Sequence, residues 1–188
     1  GGEPLETACR VNTVAFDKTG TITRGKPEVT DVLSLDARWN EAELLRVAGS
    51  IEQQSEHPLA GAIVARAMER GLALTSPSAF RAVPGKGVRA TLGSDEILFG
   101  NRTLMAESGI VLADARPLEQ LEANGKTAML LAIGGRLAGV IAVADPVKES
   151  SAEAIRELRS LGLHLVMITG DNRRTAEAIA RQVGIDDV

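Results

Sequence analysis

Asp17-Lys18-Thr19-Gly20-Thr21, preceded by the run 11–16 and followed by Ile22-Thr23, is the stretch whose reading decides the fold of this chain. The run before it has the length and apolar character of a short buried strand bounded by turn residues. Asp17 therefore falls at the carboxyl end of a strand, where parallel sheets place their chemistry. A carboxylate in that position can act as a nucleophile. Lys18, the hydroxyls of Thr19 and Thr21, and the N–H groups of a glycine turn supply the charge and donors that a phosphoryl group needs. A bare strand-Asp-turn would read more simply as a turn or helix cap. The other four residues of the pentapeptide shift the reading toward chemistry.

The rest of the composition sets bounds. A chain of 188 residues with 44% hydrophobic content suffices for one large domain or two small ones. With 21 basic and 25 acidic residues and a net charge of -4, nothing favours a nucleic-acid partner. Cys9 is the single cysteine, which excludes a disulfide framework or a Cys-x-x-Cys metal site and suits a cytosolic setting. The longest apolar stretch, 128–144, is interrupted by Gly134-Gly135-Arg136 and suits a tight hairpin better than a membrane span. No transmembrane or signal segment is expected.

Working outward, the turn-rich Arg24-Gly25-Lys26-Pro27 marks a crossing out of the first sheet, and a strand over 28–35 opens a second domain. Asn40 caps a helix that runs to about 49. His57-Pro58 opens an amphipathic helix over 59–70 closed by Gly71; alone, His57 reads as a surface histidine at a helix start. A strand over 80–83 ends in Pro84-Gly85-Lys86-Gly87, and a lone Gly-x-Gly signals only a turn. Strands over 88–92 and 96–99 follow, and Gly100-Asn101 opens a helix with Asn101 as its cap. A helix over 114–123 and strands over 127–133 and 136–144 lead to Ala144-Asp145-Pro146. Ser150 and Ser151 ahead of Glu153 signal a helix to 161. The strand 163–168 then runs into Thr169-Gly170-Asp171-Asn172 and a helix over 173–183, so Thr169 stands where phosphate meets the amino end of a helix. His164, flanked by leucines in a strand, reads as structural.

Five ordered motifs, DKTGT (17–21), SEHPL (55–59), GKG (85–87), GN (100–101) and TGD (169–171), together resemble the P-type ATPases, cation pumps that pass through an aspartyl phosphate. SEHPL resembles the signature of their heavy-metal subgroup, and DPVKESS with TGDNRRTAEA looks most like the copper exporters. The resemblance covers essentially the whole chain. It implies an α/β haloacid-dehalogenase-like phosphorylation domain with a Rossmann-like parallel sheet, formed by 1–26 and 137–188. An α+β nucleotide-binding domain, an antiparallel sheet flanked by helices, is inserted over 27–136, and the cleft between the two is the implied active site. Asp145-Pro146 resembles the hinge, and 1–10 the lead-in from a membrane helix.

The same resemblance implies roles. Asp17 accepts the γ-phosphoryl group of ATP beside Lys18 and Thr19, Thr169 binds the phosphoryl group, and Asp171 orients nearby ligands. Glu52, His57, Gly85, Gly87 and Asn101 hold ATP, and Mg²⁺ has Asp17 and Thr19 among its ligands. With three Phe, one Trp and no Tyr, an aromatic clamp on adenine is not expected. Related phosphatases carry a second aspartate where Thr19 stands. A hydroxyl does not titrate near neutrality, so the implied phosphoenzyme is long-lived. The remaining implied partners are a transported metal ion, Cu(I) by resemblance, on membrane helices outside this stretch, and an actuator domain of the same polypeptide. The chain would then be a cytoplasmic domain of an integral membrane protein. The family continues past the last helix with a lysine and a Gly-Asp-Gly-x-Asn-Asp motif. The phosphorylation domain is accordingly expected to be incomplete at its carboxyl end, open to self-association along a sheet edge, and able to bind nucleotide while turning it over poorly. A haloacid-dehalogenase-type phosphatase and a nucleotide-binding module without turnover are the alternatives.

Overall fold

The computed structural model describes residues 11–188; the lead-in 1–10, with Cys9, lies outside them. The chain divides into two compact units. One comprises the chain up to Lys26 together with Glu122–Gly125 and Asp145–Val188, and the other comprises Pro27–Leu121 and Lys126–Ala144. Strand β1 (Thr13–Asp17) opens the first unit and ends on Asp17 itself.

The second unit is a six-stranded antiparallel sheet. It is built from β2 (Glu28–Ser34), β3 (Ser78–Val83), β4 (Gly87–Leu92), β5 (Asp95–Gly100), β6 (Thr127–Ile133) and β7 (Arg136–Ala144), in the order β2-β7-β6-β5-β4-β3. Helices α1 (Glu41–Glu52) and α2 (Ala60–Glu69) cover one face, where Leu44, Leu45, Ile51 and Ile63 meet Val88, Phe99 and Ile141. Helices α3 (Arg102–Glu107) and α4 (Arg116–Ala123) cover the other, with Leu104, Met105 and Leu118 against Leu98, Leu130 and Val140. Burial on both faces explains why 128–133 and 137–143 read as continuous apolar runs and not as alternating ones.

Two expectations are corrected here. The boundary placed between 136 and 137 falls instead after Ala144, because β7 pairs with β2 from Glu28↔Ala144 to Ser34↔Gly139 and with β6 on its other side. Helix α1 starts on a capping box, with Glu43 N donating to Asn40 Oδ1 at 3.0 Å and Asn40 N to Glu43 Oε2 at 2.9 Å, but it continues past 49 to Glu52. Gly49 is no terminator. A Cβ there would lie 2.9 Å from the Ala67 Cβ, so this glycine lets α1 and α2 cross closely.

The chain returns to the first unit through α5 (Ser151–Ser160), β8 (His164–Ile168) and α6 (Arg173–Val183). β8 lies parallel to β1 in the register Thr13↔His164 to Asp17↔Ile168. Ile155, Ala176, Ile179 and Val183 of the helices close over Leu165, Met167 and Ile22. Ser150 makes no capping bond; the hydroxyl of Ser151 donates to Ile22 O at 2.7 Å instead. The expected open edge is also modified, since Met167 N donates to Asp187 O at 2.9 Å and Val166 bridges Asp187 in parallel. Among the described residues, no helix is long and apolar enough to cross a membrane.

Candidate functional site

Asp17, on the last residue of β1, is exposed, and its Oδ1 accepts a hydrogen bond from Thr19 N at 3.3 Å. The chain then turns sharply. Thr19 is extended and Gly20 takes φ +77, a left-handed conformation that glycine enters at no steric cost. Lys18 points inward, and its ammonium is ion-paired with the Asp171 carboxylate, the two side chains being only 11% and 19% exposed. The charge of Lys18 is thus met by a carboxylate of the chain. Breaking one partner of so buried a pair typically costs about 3–5 kcal/mol.

Thr169 follows Ile168, the register partner of Asp17, and its Oγ1 accepts from Asp171 N at 3.1 Å. Asn172 caps α6 by accepting from Thr175 N at 3.1 Å, and Gly184 at φ +86 closes the helix. Parallel pairing thus gathers Asp17, Lys18, Thr19, Thr169 and Asp171 at one end of the first unit. Among the described residues, no group of three or more His, Cys, Asp or Glu side chains is placed to hold a metal ion. Asp171 is engaged by Lys18, which leaves the exposed Asp17 carboxylate, with Thr19 beside it. Mg²⁺ is commonly held by one or two carboxylates plus waters and substrate phosphates, and that small share from the protein fits what is present here.

The second unit carries the other expected residues. Gly85 (φ +69) and Gly87 (φ +139) flank Lys86 in the turn between β3 and β4. Asn101 binds this turn from across the sheet, its N donating to Lys86 O at 2.8 Å and its Nδ2 to Gly85 O at 2.9 Å, while its Oδ1 accepts from Leu104 N at 3.1 Å to cap α3. Gly87 pairs with Gly100, and a Cβ on either would run into the other strand's backbone. Gly100 is a structural partner that the local turn signal could not reveal.

His57 lies between α1 and α2. Its N donates to Ser55 Oγ at 3.2 Å, and its Nδ1 accepts from Leu59 N at 3.2 Å, which leaves Nε2 to carry the ring proton. Glu52, at the end of α1, is 6% exposed. Burial pushes its carboxyl above the ordinary value of 4.5, partly offset by a hydrogen bond with Ser55. Gly85, Gly87 and Asn101 are therefore brought together, and Glu52, Ser55 and His57 form a second group. Among the described residues, no hydrogen bond links Glu52 or His57 to the glycine turn.

The raised carboxyl of Glu52 has a measurable consequence. Its folded-state pKa lies above its unfolded value, so its contribution to stability is full below about 4.5 and is lost as pH rises through the folded value. Glu52→Gln is expected to raise the thermal midpoint at neutral pH by a few degrees and to flatten the loss above pH 4.5. Melting curves from pH 4 to 8 check this; a midpoint that falls at neutral pH would show that the ionised carboxylate is the stabilising form.

Residues 11–188 match the family of haloacid dehalogenase-like hydrolases, and the chain belongs to that family. Within it, the chain is 46% identical over 192 residues to a copper-exporting P-type ATPase of Bacillus subtilis and 47% identical over 190 residues to one of Staphylococcus aureus. Each alignment takes in 100% of this chain but only 23% of the relative, so the chain spans about a quarter of the curated relatives it matches. Among solved structures, a zinc-transporting PIB-type ATPase in its E2.Pi state superposes with a TM-score of 0.74 at 38% identity, over 100% of this chain and 30% of that one.

Proposed function

We propose that this chain is the ATP-binding and phosphorylation region of a heavy-metal P-type ATPase, in which ATP phosphorylates Asp17 to drive export of a transition-metal ion, Cu(I), across a membrane. The observation that carries the reading is the exposed Asp17 carboxylate at the end of β1, in a turn whose lysine is held by Asp171 of the TGD segment. The copper assignment is supported by the identity to copper exporters, 46–47% against 38% for the zinc transporter.

In the step itself an Asp17 carboxylate oxygen attacks the γ-phosphorus, a new O–P bond forms, and the bond to the β-phosphate oxygen breaks with ADP as leaving group. Bound Mg²⁺ supplies charge neutralisation at the phosphate oxygens. Thr169, one residue beyond the partner of Asp17, offers its hydroxyl to the transferred group. No residue two positions after Asp17 can act as acid or base, because Thr19 stands there, so water is not activated from that position. That absence favours a pump over a phosphatase. ATP is held in the inserted unit by the bare backbone at Gly85, where a side chain would meet open space, and by Nε2 of His57.

The test uses the full-length protein carrying this chain and measures ATP hydrolysis with Cu(I), Zn²⁺ or no metal added. Stimulation by Cu(I) is expected. Stimulation by Zn²⁺ alone overturns the ion assignment, and rapid metal-independent cleavage of a simple phosphomonoester supports the phosphatase reading. A second expectation concerns His57→Gln. Loss of one ligand hydrogen bond should weaken ATP binding by about 1–2 kcal/mol, roughly 5- to 30-fold in Kd. Calorimetry decides it, and unchanged affinity together with an unchanged phosphorylation rate would leave His57 as a surface cap.

A further inference from the structure

The turn that presents Asp17 has no regular structure of its own to hold it. Thr19 and Gly20 break helical geometry, and the segment 20–26 is fixed instead by the returning segment 145–151 of the same unit. Thr23, which is fully buried, stands at the centre. Its Oγ1 accepts from Gly20 N at 3.2 Å and lies 2.5 Å from Asp145 Oδ2 and 3.0 Å from Lys18 O. A hydroxyl has one proton to give, and the nearer, charged acceptor takes it. Lys18 O is still served by Thr23 N at 3.0 Å.

Asp145 in turn accepts from Gly25 N at 3.1 Å and from Lys26 N at 3.0 Å, so one carboxylate fixes three points of the acceptor segment. The neighbouring residues complete the frame. Lys148 Nζ donates to Gly20 O at 2.5 Å, Lys148 N to Ile22 O at 3.0 Å, and Arg24 N to Pro146 O at 2.8 Å. We propose that Thr23 and Asp145 are positioning residues for phosphoryl transfer. They set the backbone that aims Asp17, without touching the transferred group or the nucleotide. The inference rests on the reading of Asp17 as acceptor. Its consequence follows from geometry, since a displacement of about 1 Å from a mutation away from the chemistry can cost about 10²-fold in rate.

The experiment uses the full-length protein with three readouts: acid-quenched phosphorylation at saturating ATP, ATP affinity by calorimetry, and amide hydrogen exchange of peptides spanning 17–26. Thr23→Val keeps the buried shape and removes the hydroxyl. It is expected to slow phosphorylation about 10- to 100-fold, to leave ATP affinity within about twofold, and to speed exchange in 17–26 but not in β8 or α6. Thr23→Ser restores the hydroxyl and should recover most of the rate, a rescue that loss of packing alone would not give. If Thr23→Val does not fold, Asp145→Asn is read in its place. Its carboxamide keeps one accepting oxygen but sets an NH2 donor against Lys26 N or Gly25 N, so at least one bond to the segment is lost and the same pattern is expected. Phosphorylation by Thr23→Val at the wild-type rate, or a Ser variant no faster than the Val variant, overturns the proposal. Should the wild-type protein itself take no phosphate onto Asp17, the acceptor reading fails separately. The exchange comparison then decides the hold on the turn, with faster exchange in 17–26 supporting it and unchanged exchange overturning it.

Discussion

Asp17→Asn is expected to remove the hydroxylamine-sensitive phosphate from the full-length protein entirely, with ATP affinity and thermal stability left near wild type. The carboxamide has the shape of the carboxylate and keeps an oxygen to accept from Thr19 N, so the turn survives. What it lacks is nucleophilicity. Asp17 is exposed and outside every ion pair described here, and such surface substitutions usually stay within about 0.5 kcal/mol in stability. Acid-quenched phosphorylation with labelled ATP measures the first effect, and melting curves with calorimetry measure the others. A variant that still forms the labile phosphate would place the acceptor elsewhere. A variant that loses phosphate and also unfolds would show that Asp17 is needed for structure.

The parts of the molecule that were legible in the sequence are those set by local signals. Helix α6 forms over the expected 173–183 because Asn172 and Gly184 cap its two ends with their own bonds. The strands on either side of Gly93-Ser94 and of Gly134-Gly135 formed because tight turns fix their partners, Leu92↔Asp95 and Ile133↔Arg136. What was not legible is set by tertiary contact. Helix α1 passes Gly49 because Ala67 packs there, and Lys18 turns inward because Asp171, 153 residues on, meets it. Asp145 could be read as the end of a strand or a hinge, whereas its three acceptor bonds to Thr23, Gly25 and Lys26 appear only once the two crossings lie together in one unit. The positive φ of Ala79, at +50 beside the irregular pairing of β3, had no signal at all, since alanine rarely adopts that conformation.

The glycine turn supplies the other large effect, and it separates fold from ligand binding. A Cβ on Gly100 would stand 2.1 Å from Lys86 O and 2.8 Å from Gly87 Cα; on Gly87 it would stand 2.2 Å from Phe99 O. These obstacles are backbone atoms in paired strands. Relief therefore requires β4 and β5 to part, and β5 is also paired with β6 on its other side. Forced overpacking costs about 1–3 kcal/mol and occasionally more. Gly87 adds the strain of φ +139, about 1–3 kcal/mol for a residue with a side chain. Gly87→Ala, with both terms, is expected to destabilise the inserted unit by about 2–6 kcal/mol, and Gly100→Ala, with overpacking alone, by about 1–3 kcal/mol or somewhat more, against the 5–15 kcal/mol typical of a domain. Gly85→Ala meets no atom within 4 Å and bears only the strain of φ +69, about 1–2 kcal/mol. Its effect should appear chiefly in ATP affinity, because its new methyl group occupies the open face assigned to the nucleotide. Trp39, the single tryptophan, packs against the core of the inserted unit and reports its unfolding. Urea titrations of the 188-residue chain followed by its fluorescence, beside ATP calorimetry, give both quantities. A Gly100→Ala variant within about 1 kcal/mol of wild type would mean that β4 and β5 can separate at that point without loss, and that Gly100 does not hold the turn closed.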